Sequence, residues 1–234
     1  MDLNGIQITW LGHATFKITT IQDKTILIDP WTTSNPVCPD NLKQFDTLDL
    51  MLVSHGHFDH AADAVSIAKA TKPMVVAIVE LAGWLGARGV ENTVGMNKGG
   101  SIEWQGLKVS MTHAIHTSGA EDGSYVGDAA GFVIEFENGI KLYHAGDTCA
   151  FKDMEIIGEL YQPDVALLPI GDFYTMGPRE AAIAVRMLGV KHVIPMHYGT
   201  FPALTGTPAA LRASLHALGL DDVEVVEMTQ GQTI

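Results

Sequence analysis

The sequence predicts an α/β fold in which two mixed β-sheets pack together with helices on their outer faces. Three observations lead there. Short β-rich runs open the chain, a second strand-rich block occupies its middle, and strand–helix units follow the strand-rich blocks. That order arises twice, which is the pattern of two mixed sheets and not of one continuous parallel sheet. No linker, charge block or low-complexity segment interrupts it, and 234 residues suffice for one large core, so residues 1–234 are expected to form a single domain.

The first runs, Ile6 to Leu11, Thr15 to Thr20 and Thr25 to Ile28, are each bounded by polar, Gly, Asp or Pro residues. Leu50-Met51-Leu52-Val53 is an apolar strand that leads into a helix predicted over Ala61 to Thr71. Met74 to Val79 reads as a buried strand and Leu81 to Ala87 as a short helix ended by Gly89. The second block comprises Ser101 to Trp104, Leu107 to Thr112, Gly131 to Phe136 and Ile140 to His144. Between its last two strands, Glu137-Asn138-Gly139 predicts a tight hairpin, because Asn-Gly tolerates positive φ. In the last third, strands Val165 to Leu168 and His192 to Met196 flank a helix with Pro178 near its start and Gly189 at its end. A further helix runs from Pro208 to Leu218, before Gly219.

Composition limits the partners. Hydrophobic content of 47% with 18% charged residues describes a globular protein. A net charge of −13 and a pI near 5.0 repel polyanions, so neither nucleic acid nor an anionic membrane is expected as a partner. Cys38 and Cys149 form no disulfide framework, which fits a reducing compartment. The start Met1-Asp2-Leu3-Asn4 resembles no signal peptide, and the apolar stretch Pro73 to Ala87 is broken by Glu80 and Gly83 and too short to span a bilayer. The expectation is a cytoplasmic protein with a small-molecule substrate and no membrane, self-association being left open.

The residues richest in chemistry follow the strand at Leu50. His55-Gly-His57-Phe-Asp59-His60 places four metal-capable side chains in six positions. Alternate residues on extended backbone point the same way, so His55 and His57 can converge on one ion. Asp59 and His60 lie where the chain turns into a helix, aimed at a neighbouring point. Helix capping would explain Asp59 alone, and a lone histidine is usually ordinary, but neither explains the cluster. Other candidates also sit where apolar strands meet loops: His113 and His116 after the strand from Leu107, Asp147 after Ile140 to Tyr143, and His197 after Val193 to Met196.

The run of motifs resembles the metallo-β-lactamase fold superfamily, and within it the uncharacterised metal-dependent hydrolases related to ascorbate-6-phosphate lactonases. The likeness extends nearly end to end. It is carried by Trp10-Leu-Gly-His13-Ala-Thr, Leu27-Ile-Asp29-Pro, Ser54-His-Gly-His-Phe-Asp-His60, Gly99-Gly-Ser, His113-Ala-Ile-His116, Tyr143-His-Ala-Gly-Asp-Thr148, Leu168-Pro-Ile-Gly-Asp172 and Pro195-Met-His-Tyr-Gly199. The resemblance implies an αββα sandwich with a two-metal site at one edge of the sheets. It assigns His55, His57 and His116 to one metal and Asp59, His60 and His197 to the other, with Asp147 bridging. His113 is an alternative to His116, although the family pattern of a His before a small polar loop favours His116. Some members carry a cysteine in place of Asp147, and Cys149 is read as a buried apolar filler. Members with a redox di-iron site place a carboxylate where His57 stands, which points this chain to hydrolysis.

Five imidazoles and two carboxylates without a thiolate suit two divalent ions, zinc placed first and manganese or iron(II) after it. Such ions make a bridging hydroxide near neutral pH. The expected activity is cleavage of a small ester, lactone or phosphodiester. The alternatives are a phosphodiesterase or nuclease and a non-catalytic metal- or metabolite-binding protein. Asp59 is a candidate to orient the hydroxide. His13 and His144 are candidates for substrate contact or proton donation, with hydrogen-bonded support of a ligand as an equal account. Asp29 and Asp172 read as turn residues beside Pro30 and Gly171, and His216 as a solvated helix residue.

Overall fold

The computed structural model describes residues 1–234 and places their strands in two sheets. The first holds β1 (Gln7–Gly12), β2 (Thr15–Thr19), β3 (Thr25–Ile28), β4 (Leu50–Leu52), β5 (Met74–Ile78) and β6 (Thr93–Met96), side by side in chain order. β1 to β3 pair antiparallel and β3 to β6 parallel. The second begins with β7 (Ser101–Trp104), β8 (Leu107–His113), β9 (Ala130–Glu135) and β10 (Lys141–His144) as an antiparallel meander. Parallel β11 (Val165–Pro169), β12 (His192–Met196) and β13 (Glu224–Val225) complete it.

This topology decides where the ligands can meet. β1 and β3 both oppose β2, and β8 and β10 both oppose β9, so the strands that precede the candidate residues run one way within each sheet. Their C-terminal ends therefore lie along one edge.

The sheets bury a core of 45 residues, with Ile8, Trp10 and Phe16 from the first sheet and Phe132, Ile134 and Ile194 from the second. A second cluster of 19 residues lies under α4 (Met154–Tyr161), α5 (Pro178–Leu188) and α6 (Pro208–Ala217), on the outer face of the second sheet. β4 and β11 are buried at every position, as expected of parallel strands covered on both faces. No helix is long and apolar enough to cross a membrane.

Helix punctuation follows the sequence. Pro178 and Pro208 occupy first-turn positions, Thr207 accepts a hydrogen bond from the amide of Ala210 at 3.2 Å, and Gly189 ends α5 with a left-handed φ of 69°. Strand ends differ from expectation by a residue or so, where pairing frays, and α3 (Val79–Ala87) begins two residues before the helix expected from Leu81.

Three differences have physical causes. The helix predicted over Ala61 to Thr71 is two pieces, α1 (Phe58–Ala61) and α2 (Ala64–Thr71). At the break, the Asp63 carboxylate accepts from the amides of Thr32 and Thr33 at 2.6 and 2.7 Å, anchoring the loop after β3. The Asn-Gly hairpin has a longer loop than a two-residue turn: Phe136 and Ile140 close it, and only Gly139 takes positive φ. α4, β6 and β13 carried no pattern strong enough to predict; β6 contains Gly95, where a Cβ would meet the backbone of Val79 at 3.1 Å. Asp63→Ala leaves the buried Thr32 amide and the partly buried Thr33 amide without their acceptor and is expected to cost about 1–3 kcal/mol, measured by equilibrium urea unfolding; an unchanged midpoint would contradict the anchoring role.

Candidate metal centre

The site residues sit at or beyond strand ends, Asp59 and His60 within α1, and several are aimed by an unusual backbone. His13, Asp29 and His197 take left-handed φ values of 56°, 50° and 55° after β1, β3 and β12. That conformation costs a residue with a Cβ about 1–2 kcal/mol and persists only where surrounding contacts over-determine it. Gly146 (φ 62°) turns the chain after β10 to present Asp147, and a Cβ there would strike the carbonyl of Ala130.

The side chains gather into overlapping groups. Ligand atoms of His55, His57 and His116 lie within 4.8 Å of one another, as do those of His13, Asp59, His60 and His197, and those of His55, His60 and Asp147. His55 Nε2 is 3.0 Å from His57 Nδ1. Asp147 Oδ2 stands between the groups, 3.0 Å from His197 Nε2, 3.2 Å from His60 Nε2, 3.6 Å from His116 Nε2 and 3.9 Å from His55 Nε2. All seven residues that the resemblance marks as ligands are thus brought together.

Hydrogen bonds behind the cluster orient it. Asp29 is wholly buried and accepts from the Ser54 amide and hydroxyl at 2.7 Å each and from His60 Nδ1 at 2.8 Å. With Nδ1 donating, His60 presents the Nε2 lone pair to the centre. Ser54 Oγ, having donated to Asp29, accepts from His55 Nδ1 at 3.0 Å and frees the Nε2 lone pair of that ring too. Such carboxylate–histidine pairs fix tautomer and ring angle. Asp29→Asn is expected to weaken metal binding about 10- to 100-fold, read by titration against a chelating dye; unchanged affinity would remove its orienting role. The turn role expected for Asp29 is therefore corrected.

Electrostatics favour the ligand forms of three histidines and of Asp147. Burial is the main cause holding His55, His57 and His116 below the ordinary histidine range, so they stay neutral. Burial pushes the Asp147 carboxyl up, but His197 and His60 more than offset it and hold it well below the usual range. His60 is pushed upward: Asp147, Asp29 and Asp59 outweigh its burial.

The same atoms test whether a metal fits. His60 Nε2, both nitrogens of His197 and Asp147 Oδ1 are buried without a hydrogen-bond partner, because the short approaches to Asp147 miss hydrogen-bond geometry. Buried polar atoms are rarely left so. Convergent imidazole lone pairs facing carboxylates are satisfied together by cations, and the residues fit divalent metal.

Two candidates do not reach substrate. His144 is wholly buried; Nε2 donates to the Ala14 carbonyl at 3.0 Å and Nδ1 accepts from the Gly146 amide at 3.1 Å. With both nitrogens engaged it shapes the turn before Asp147, so of the two equal accounts the supporting one holds and substrate contact or proton donation does not. His13 is also wholly buried, its Nε2 3.0 Å from Asp59 Oδ2 and its Nδ1 3.0 Å from Thr200 Oγ. Burial, then His197, lowers its pKa to about 4, so the neutral ring donates to Asp59 and accepts from Thr200. It positions Asp59.

Of the remaining residues, His113 packs on Phe151 (centroids 5.3 Å apart), away from the cluster that holds His116. Cys149 is half-buried, which corrects its reading as a buried filler. Asp172 caps its own turn by accepting from the Phe173 amide at 2.7 Å, and His216 is exposed beside Asp221.

A cavity of about 620 Å³ opens over the centre, lined by His57, Asp59, His116, Asp147 and His197 at its base. Phe58, Tyr174 and Phe201 also line it. Sequence reading missed this aromatic wall, since a Phe inside a histidine motif and two loop aromatics carry no periodic signal.

The family model described as Beta-lactamase superfamily domain matches residues 24–198. A UPF0173 metal-dependent hydrolase from Koribacter versatilis is 51% identical over 100% of this chain and 99% of its own. Another from Rubrobacter xylanophilus is 52% identical over 99% and 97%. The solved structure of Igni18, a novel metallo hydrolase from the hyperthermophilic archaeon Ignicoccus hospitalis, has a TM-score of 0.86 at 36% identity, covering 98% of this chain and 97% of that one.

Proposed function

Since the chain belongs to the Beta-lactamase superfamily domain family and to its UPF0173 metal-dependent hydrolase group, we propose that it cleaves a small ester, lactone or phosphodiester at a two-metal site. The observation that carries this reading is Asp147 Oδ2 lying within 3.0–3.9 Å of nitrogens from both histidine groups. His55, His57 and His116 would hold one ion, and Asp59, His60 and His197 the other, with Asp147 shared. Divalent ions, zinc first among them, supply the Lewis acidity that lets water attack near neutral pH. The chain does the rest. Asp29 and Ser54 hold His60 and His55 in ligand tautomers, and His13 pins one oxygen of Asp59. The other Asp59 oxygen is then left to orient the attacking water.

Elemental analysis and a hydrolysis screen test the reading together. Protein reloaded after chelation is expected to take up two divalent ions per chain, with cleavage of lactones, esters or phosphodiesters rising with occupancy. Saturation at one ion would overturn the two-metal assignment. Full loading with no cleavage of any class would overturn the enzymatic reading.

A further inference from the structure

We infer that the substrate is a neutral ester or lactone whose part remote from the scissile bond is flat, apolar and aromatic, seated against Phe58 and Phe201. The inference rests on the hydrolase reading and names its substrate class.

The wall is built, not incidental. Trp31 is 2% exposed, and its indole nitrogen donates to Ser34 Oγ at 2.8 Å. Phe201 stacks on this fixed ring at 5.9 Å and 29°, and Phe58 meets it edge-on at 5.7 Å. Phe58 and Phe201 are then 6.4 Å apart, held as one surface beside Asp59. Phe58 remains 44% exposed although it sits between two metal-ligand candidates, and across the cavity Tyr174 is 55% exposed. An aromatic side chain held open at a site's mouth gains by burial under a ring of matching size, beyond what area alone gives.

Charge decides against the alternatives. No lysine or arginine is among the 11 residues lining the cavity, and its only charged side chains there besides the histidines are Asp59 and Asp147. Away from the ligand candidates the lining is Phe58, Thr117, Tyr174, Phe201, Pro202 and Ala203, none of which carries a charge. A second anionic group on the substrate, such as a further phosphate or a remote carboxylate, would lie against aromatic faces and the −13 molecule with nothing to pair it. Nucleotides and dicarboxylic esters are therefore excluded from the class.

Two esters isolate the charge: 4-(methylsulfonyl)phenyl acetate and 4-sulfophenyl acetate share the acetyl ester and differ by one remote negative charge. With the metal-loaded full chain, and each rate divided by its uncatalysed rate, kcat/KM is expected to favour the neutral ester at least tenfold. Ala203→Lys, at the cavity lining, is expected to shrink that preference several-fold. Phe201→Leu is expected to raise KM for the neutral ester about fivefold, with kcat nearly held. Equal or better use of the sulfonate by the parent chain, or an unchanged KM in Phe201→Leu, would overturn the inference. If neither ester is cleaved, the hydrolase reading fails separately, and binding of methyl phenyl sulfone against benzenesulfonate decides the inference. Tighter binding of the sulfone, weakened by Phe201→Leu, supports it; equal binding or preference for the sulfonate overturns it.

Discussion

Asp147→Ala is expected to abolish hydrolysis and to reduce the metal content of the chain. Loss of a partner behind a ligand costs about 10- to 100-fold, and Asp147 faces both ligand groups directly, so its removal should exceed that range. His57→Ala is expected to act likewise, because it takes one of three imidazoles from its group. His216→Ala serves as the comparison: its side chain is 81% exposed and pairs with Asp221 at the surface, so activity should stay within about twofold. The measurements are kcat/KM on the best substrate and metals per chain, with circular dichroism to establish folding. Asp147→Asn separates charge from shape, since it keeps the side-chain outline and loses the anion. A folded Asp147→Ala variant that keeps its activity would remove the residue from the centre.

The second large effect is on stability against pH. With chelator present, so that metals do not compete with protons, unfolding free energy is expected to fall steadily from pH 7 towards pH 4. Burial lowers the pKa of His13 to about 4 and also depresses His55, His57 and His116. A histidine with a depressed folded-state pKa contributes stability above its unfolded value of about 6.5. That contribution is lost as pH falls, because the unfolded chain binds the proton first. His60 works the other way: its raised pKa favours the folded state at lower pH and loses that contribution as pH rises. His113 and His144 are depressed as well, so six depressed histidines against two raised ones, His60 and the exposed His216, set the sign. Asp147 and Asp59 add a further loss near and below pH 4, since both are held below the usual carboxylate range. Urea midpoints at several pH values test this, and a midpoint that is flat or rises between pH 7 and 5 would contradict the account. Restoring zinc should shift the whole curve upward, by about 4 kcal/mol at a thousandfold excess over Kd.

Much of the fold could be read from the chain because its signals are local. Apolar runs such as Val165 to Leu168 and His192 to Met196 appear as β11 and β12, and the Pro and Gly residues around α5 and α6 bound helices where expected. The helix at Ala61 was misread for the complementary reason: its break serves Asp63, whose partners Thr32 and Thr33 lie thirty residues away. The same distinction runs through the site. The spacing of His55, His57, Asp59 and His60 announces a metal-capable cluster, whereas the ordinary appearance of Asp29 in Leu27-Ile-Asp29-Pro conceals its contact with His60. His144 looked as available as any strand-end histidine until both of its nitrogens were found bonded inside the core.

By itself, then, the sequence determined which residue types stand at strand ends, because alternation, apolar runs and turn residues act over a few positions. It determined also, through motif likeness, the kind of centre they would form. Only the tertiary structure decided which of those ends share an edge. It alone showed that His116 joins His55 and His57 while His113 packs on Phe151, and that Trp31 holds Phe201 and Phe58 beside Asp59. The reason is physical. Convergence depends on strand direction across two sheets and on left-handed turns at His13, Asp29 and His197, and such turns are imposed by packing from distant parts of the chain.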